Sequence, residues 1–427
     1  MSHKILIKNG RVVDPVNNLD AVKHVMVEDG KIVSVTSDAF PADTVLDVRG
    51  MVVLPGLIDM HVHLREPGDE DSETIATGLR AALAGGFTAV AAMPNTNPTT
   101  DTPDGVEFVL KRAREARAAR LYPVAAITRG RKSEELADLA LLARAGAVAF
   151  SDDGSPVHKE DLMRKAMERA KILKRAILAH CEVVGESAGG IFNSDAARRL
   201  GLPGISADSE FLMVRRDIEL ARETGCALHV QHVSTAESLS LIARAKDAGV
   251  CVTAEATPHH LALSDDAVTA PDPNLKMNPP LRSAADMAAL RDGVCDGIID
   301  AIATDHAPHS PAQKSKPIAD APFGIIGMET ALPIILEEFL HTGKLNWSDI
   351  VRLMSLNPAR ILHVPGGALS EGAVADITVI DPMEEWTIEP EAFESKGRNC
   401  PFAGRRVRGR AKLVMVNGEV LWNQTGK

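Results

Sequence analysis

Met51-Val52-Val53-Leu54-Pro55-Gly56-Leu57-Ile58-Asp59-Met60-His61-Val62-His63-Leu64-Arg65 is an apolar run that ends in two histidines two residues apart. Its apolar part reads as a buried strand, and side chains two apart on a strand point to one face. His61 and His63 therefore converge at the carboxyl end of that strand, as the first two nitrogen ligands of a cation would. An H-x-H triplet alone is a weak signal. It gains weight only if other strand ends supply partners.

Outward from this stretch, strand-like and helix-like segments alternate, which implies a parallel sheet. Apolar runs end near His61, Asn95, Ile127, Asp153, His180, His232, Glu255 and Asp305. Helical patterns cover 71–83, 104–119, 134–145, 159–173, 208–223 and 236–248, with an irregular insert over 256–294. After the eighth strand, helices are expected over 323–340 and 346–356. Eight such units predict an α/β fold, a (β/α)8 TIM barrel spanning 54–365.

Both ends of the chain differ in style. Short strands meet Asn9-Gly10, Asp29-Gly30 and Asn417-Gly418, which are strong hairpin signals because both turn residues tolerate positive φ. Neither end has enough alternating strand to bury a core. Residues 1–53 and 366–427 are therefore expected to form one small β-sandwich built from both termini.

Composition narrows the function. The chain has 427 residues, 45% of them apolar, and a formal net charge of −11, which argues against nucleic acid and anionic membrane as partners. No apolar run approaches the ~20 residues of a membrane span, and the first residues lack the apolar core of a signal peptide. A cytoplasmic protein is expected. The five cysteines, Cys181, Cys226, Cys251, Cys295 and Cys400, are odd in number and scattered, unlike a disulfide framework.

In a barrel the carboxyl ends of all strands meet at one face, and chemistry resides there. That face collects His61, His63, Asp152 or Asp153, His180, His232 and Asp305. Four imidazoles and two carboxylates exceed what one tetrahedral ion needs, whereas two ions about 3.5–4 Å apart would use them all. Zn2+, two per chain, suits an imidazole-rich and thiol-poor set, although manganese or cobalt fits the same ligands. Taken singly, each residue has a plainer reading: Asp152 or Asp153 as a cap, His180 or His232 as a core histidine, Asp305 as a turn former. All would have to hold at once, at strand ends facing one point.

The run His61-Val62-His63-Leu64-Arg65-Glu66-Pro67-Gly68, with Met93-Pro94-Asn95-Thr96, Phe150-Ser151-Asp152-Asp153-Gly154, His180-Cys181-Glu182, Gln231-His232-Val233-Ser234-Thr235, Asn278-Pro279-Pro280-Leu281-Arg282 and Thr304-Asp305-His306-Ala307-Pro308-His309, resembles the dihydroorotases of the type I bacterial form, in the amidohydrolase superfamily. The resemblance covers essentially the whole chain. It implies reversible cyclisation of N-carbamoyl-L-aspartate to L-dihydroorotate in de novo pyrimidine (UMP) synthesis. It further implies that His61 and His63 hold one zinc, that His180 and His232 hold the other, and that Asp305 lies near the first. Many relatives bridge the ions with a carboxylated lysine from strand 4; residues 147–157 contain none. Asp153 matches the subgroup that bridges with aspartate, with Asp152 as the alternative.

Opening a cyclic amide requires an activated water, a polarised carbonyl and a proton for the leaving nitrogen. Two zinc ions and a bridging hydroxide would supply the first two, and Asp305 would carry the proton. The substrate also bears a carboxylate away from the reacting centre. Arg65 faces the side of the ligands with a planar fork, Asn95 offers an amide, and His309 can reach the same group. By resemblance these three anchor the carboxylate, while Asn278 and backbone groups of Pro322, Phe323 and Gly324 hold the ring edge. The plainer readings are a surface salt bridge for Arg65 and a turn for Asn278.

Two features stay open at this level. The polar loop 310–317 reads equally as a lid or as a connector. Cys181 reads first as an inert buried thiol; if the strand has already ended there, its thiolate could occupy a zinc position. The nearest rivals are a dihydropyrimidinase, hydantoinase or allantoinase, and a non-catalytic scaffold for aspartate transcarbamoylase. The missing lysine and the presence of Arg65 with Asn95 speak against the first, and the intact ligand set against the second. The partners expected with the resemblance are the small-molecule substrate, aspartate transcarbamoylase and further copies of the chain in a homo-oligomer.

Overall fold

The computed structural model describes residues 3–183, 185 and 189–426. Eight strands, Leu57–Val62, Phe87–Ala92, Arg120–Ala125, Ala149–Phe150, Ile177–Ala179, Leu228–Val230, Val252–Ala256 and Ala301–Ile302, pair in chain order, each parallel to the next. The ring closes where the last strand meets the first. The His63 N–H donates to the His306 carbonyl at 2.8 Å, beside a parallel bridge between Val62 and His306. Asp59, fully buried, stitches the same seam by accepting the Thr304 N–H at 3.0 Å and the Thr304 hydroxyl at 2.6 Å. Every residue of Leu57–Val62 is buried, which is why the strand reads as an unbroken apolar run.

Helices cover the outside, and their starts are set by caps rather than by apolar period. The helix expected from residue 71 begins at Ile75, because the Thr74 hydroxyl accepts the Thr77 N–H and the Glu66 carboxylate accepts the Ile75 N–H. The one expected from residue 134 shortens to Leu139–Ala145, with Asp138 accepting the Leu141 N–H. The one expected from residue 323 starts at Met328, and residues before it run along the barrel mouth. Gly324 has φ 122° there, and a Cβ on it would stand 2.6 Å from that of Ala307. The insert read as irregular contains a helix, Ala284–Cys295, started by a Ser283–Asp286 capping box.

The strands of both termini form one eight-stranded sheet among the described residues. Its main order runs from Glu419–Asn423 through Arg406–Val416, Ile377–Thr387, Val52–Pro55, Lys4–Asp14 and Leu19–Glu28 to Lys31–Thr36, and Thr44–Asp47 pairs with Lys4–Asp14. Val53 joins the halves, opposite Val12 on one side and Val379 on the other. The sandwich is thus a continuous sheet around one core that contains Ile5, Ile7, Val25, Val27, Ile377, Val379, Leu413 and Met415. Asp29-Gly30 and Asn417-Gly418 are hairpin turns as expected. Asn9-Gly10 is not: Lys4–Asp14 runs straight through it as one strand, and Asn9, at φ 65°, sits at a bulge.

Candidate active site

At the carboxyl face of the barrel lies a cavity of about 190 Å3. His63, Asp153, His180, His232 and Asp305 line it together with Arg65, Asn95, Asn278, His309, Phe323 and Gly324. His61 is fully buried beneath them. Gly154 and Ala307 also line the cavity and carried no expectation. Three residues reach it from strained backbone in the left-handed region: Arg65 at φ 60°, His232 at φ 34° and Asp305 at φ 50°. Such conformations cost about 1–3 kcal/mol each and persist where the surroundings over-determine them.

The two histidines of the opening stretch are oriented from behind. His61 Nδ1–H donates to Glu255 Oε1 at 2.6 Å, and His63 Nδ1–H donates to Asn95 Oδ1 at 2.7 Å. Both rings therefore turn Nε2 inward. His61 Nε2 lies 3.3 Å from Asp153 Oδ1 and 3.5 Å from Asp305 Oδ1; His63 Nε2 lies 3.4 Å from Asp153 Oδ2 and 2.9 Å from Asp305 Oδ1. Lone pairs of neutral imidazoles facing carboxylates repel unless a proton or a cation stands between them. Asp153 Oδ1 is buried and accepts no hydrogen bond, although His180 Nδ1 at 3.6 Å and His232 Nε2 at 3.7 Å surround it as well. A buried carboxylate oxygen that accepts no hydrogen bond among imidazole nitrogens fits a metal.

Two overlapping groups have donor atoms within 4.8 Å of one another: His61, Asp153 and His232, and His61, His63 and Asp305. His180 stands beside them, with Nδ1 2.9 Å from His232 Nε2 and Nε2–H donating to Glu182 at 3.1 Å. Burial opposes charge on His61 and Asp305. For His61 the Glu255 carboxylate, then Asp153 and Asp305, outweigh burial and raise it well above the usual histidine range, while His61 and His63 hold Asp305 well below the usual carboxylate range.

Asp152, the alternative bridge, turns out of the site. Its carboxylate accepts the N–H groups of Ile127 at 2.8 Å and Thr128 at 3.0 Å, and the Thr128 hydroxyl. Cys181 also points away, its thiol 3.7 Å from Asp217 and 3.6 Å from the Ala179 carbonyl.

The expected carboxylate corner is assembled. Arg65 is held by the Pro308 carbonyl, to which Nε donates at 3.0 Å. His309 Nε2–H donates to the Phe323 carbonyl at 2.7 Å, so its 3.2 Å approach to Arg65 Nη2 sets donor against donor and leaves that guanidinium N–H for a ligand. Asn95 spends its oxygen on His63 and keeps its amide hydrogens for the cavity. Asn278 lines the opposite wall and donates to Glu182 at 3.0 Å. Pro322 stands one residue behind the wall made by Phe323 and Gly324.

Glu255 was visible only as a strand end. It grips His61 on one side and His229 Nε2, at 3.1 Å, on the other. Burial opposes its charge, but His61 and His229 outweigh it and hold its carboxyl down to about 2. The pattern Leu228-His229-Val230, a histidine inside an apolar strand, was the signal available. A larger cavity, about 370 Å3, lies between barrel and terminal sheet beside Glu329, Trp386 and Trp422. The metal-competent groups among the described residues lie at the smaller one, and the chemistry belongs there.

A family model described as Dihydro-orotase-like matches residues 50–238. The dihydroorotase of Syntrophus aciditrophicus (strain SB) is 47% identical over 99% of this chain and 100% of its own. That of Pelotomaculum thermopropionicum is 50% identical over 98% of each chain. The chain belongs to the dihydroorotase family. Among solved structures, the L-hydantoinase (dihydropyrimidinase) from Arthrobacter aurescens superposes with a TM-score of 0.89 at 26% identity, covering 99% of this chain and 97% of that one. Dihydroorotases and hydantoinases share this fold, and its chemistry is that of a cyclic amidohydrolase.

Proposed function

We propose that the chain interconverts L-dihydroorotate and N-carbamoyl-L-aspartate, with Asp305 as general acid and base. One observation supports this reading above others: a single cavity sets Arg65, Asn95 and His309 against the imidazole–carboxylate cluster. An uncharged cyclic amide has no use for that corner.

His61, His63 and Asp305 would hold one divalent ion and His180 and His232 another, with Asp153 between them. When bound, a zinc pair supplies an activated water and draws electron density from the carbonyl oxygen. The remaining work falls to side chains. Arg65 and Asn95 hold the substrate carboxylate and so fix the ring above the cluster. Asp305, ionised at the outset, receives the proton released as water attacks the ring carbonyl, then delivers it to the ring nitrogen as the C–N bond breaks. In the synthetic direction Asp305 takes a proton from the carbamoyl nitrogen and hands it to the departing oxygen.

The test is turnover of L-dihydroorotate against hydantoin and dihydrouracil, with metal content measured on the same sample. Rapid opening of L-dihydroorotate alone, with about two zinc ions per chain, is the expected result. Turnover of only the uncharged rings would move the chain to the hydantoinases and make Arg65 structural. The reading extends to a cytoplasmic homo-oligomer that associates with aspartate transcarbamoylase. No helix of the described residues is long and apolar enough to cross a membrane, and the association is checked by co-elution of the two proteins.

A further inference from the structure

Two lysines beside the cavity serve neither the metal cluster nor the carboxylate corner. Lys314 ends the short helix Pro311–Lys314, and Lys276 follows the turn Pro273–Leu275; both are buried. Lys314 Nζ donates to the carbonyls of Pro273 at 2.7 Å and Pro322 at 2.9 Å, and stands 3.5 Å from that of Lys276. Lys276 Nζ donates to the carbonyls of Ile318 at 2.7 Å and Ala319 at 3.1 Å, and lies 4.6 Å from the centre of the Phe323 ring. Each lysine therefore ties down carbonyls of the segment that carries the other, and between them the Gly324 N–H donates to the Lys276 carbonyl at 2.9 Å.

Buried ammonium groups usually sit against carboxylates. These two bind main-chain oxygens instead. The segments they join carry Asn278 on one side and Phe323 with Gly324 on the other, the two walls of the cavity assigned above to the ring. Ser310–Lys314 is fastened on its far side as well, where the Ser72 hydroxyl donates to Gln313 Oε1 at 2.7 Å and Gln313 Nε2–H donates to Asp69 at 3.2 Å. A loop held at both ends in this way is a fixed wall.

We infer that Lys314 and Lys276 form a reciprocal clasp that positions the Phe323–Gly324 backbone and Asn278 against the substrate ring. Neither lysine touches substrate; both are positioning residues, and the inference rests on the dihydroorotate reading above. Burial pushes Lys314 down to about 7; Lys276 and Arg65 act in the same direction and Asp272 against it. Burial lowers Lys276 too, with Asp320 opposing. The clasp is therefore tight below neutrality and slackens as Lys314 loses its proton.

The test uses the full-length, metal-loaded enzyme and L-dihydroorotate, with KM and kcat measured from pH 6 to 9 for the parent, Lys314→Met, Lys314→Arg and Lys276→Met. For Lys314→Met the expected result is a KM raised about tenfold at pH 6 with kcat within about twofold, and metal content equal to the parent. The parent KM should climb as pH passes 7, while Lys314→Arg, which keeps its charge, flattens that climb. A folded Lys314→Met with parental KM across the range overturns the clasp. Should that variant not fold, Lys276→Met applies the same test from the other wall, and a parental KM there overturns it equally. A parent inactive on L-dihydroorotate but active on hydantoin is a separate outcome: it overturns the substrate reading, and this inference with it.

Discussion

At the residue scale, the rings of His61, His63 and His180 each have a partner behind the inward nitrogen. His61 donates its Nδ1–H to Glu255 and His63 donates its Nδ1–H to Asn95, so neither can change tautomer without losing that bond. Glu255→Gln should therefore weaken metal retention about 10–100-fold, read as zinc remaining after dialysis against a graded chelator. Equal retention would reduce Glu255 to packing. Asp305→Asn should lower kcat by about 10²–10⁴ with a far smaller change in KM, since it removes the group proposed to carry the proton. The histidines, Asp153 and Asp305 were legible because ligand chemistry demands their types at strand ends. Glu255 and His229 were not, because a buried polar pair that supports a ligand leaves no spacing rule in the chain. Asp152 and Asp153 could not be separated by sequence either; only the Ile127–Thr128 backbone, which claims Asp152, tells them apart.

Elements place these residues, and the turn after His232 shows how. Glu210, on the helix Asp208–Thr224, accepts the N–H groups of Ser234 at 3.1 Å and Thr235 at 3.1 Å. Arg282 closes the group by donating to Ser234 Oγ at 3.1 Å and to the Ile205 carbonyl at 2.9 Å. Both charges are buried, and burial's opposition to the carboxylate is outweighed first by Arg282. Glu210→Ala should cost about 3–5 kcal/mol by chemical denaturation, because it strands the Arg282 charge. Adding Arg282→Met should recover part of the loss, and no recovery would mean the damage lies elsewhere. Strands were legible at this scale because a closed parallel barrel buries both of their faces. Helix starts were not, since Thr74 and Asp138 end the loop by capping chemistry several residues inside the apolar pattern.

At the scale of the whole molecule, the barrel and the terminal sheet meet around Glu329, whose carboxylate accepts the N–H groups of Glu394 and Ser395, each at 3.1 Å. Burial, with Glu394 and Glu73 nearby, pushes that carboxyl up to about 8 from an ordinary 4.5. The folded state thus binds this proton more tightly than the unfolded state, and stability falls as pH rises from about 4.5 to about 8. Glu329→Gln should remove on the order of 1–3 kcal/mol of that fall, seen as a smaller Tm difference between pH 5 and pH 8. An unchanged difference would assign the dependence to other groups. That both termini build one unit was legible from the poverty of each end alone; that the unit is one continuous sheet was not, because Asn-Gly marks a bulge as readily as a turn. The seam where strand eight meets strand one carries a consequence for synthesis. His63 and Asp305, neighbours across it, are 242 residues apart in the chain. At a translation rate of ~5–20 residues per second, a nascent chain displays His63 for roughly 12–48 s before Asp305 leaves the ribosome. For that interval the first strand of the barrel waits for the carboxylate that its histidine will face, and the site is complete only when the ring shuts.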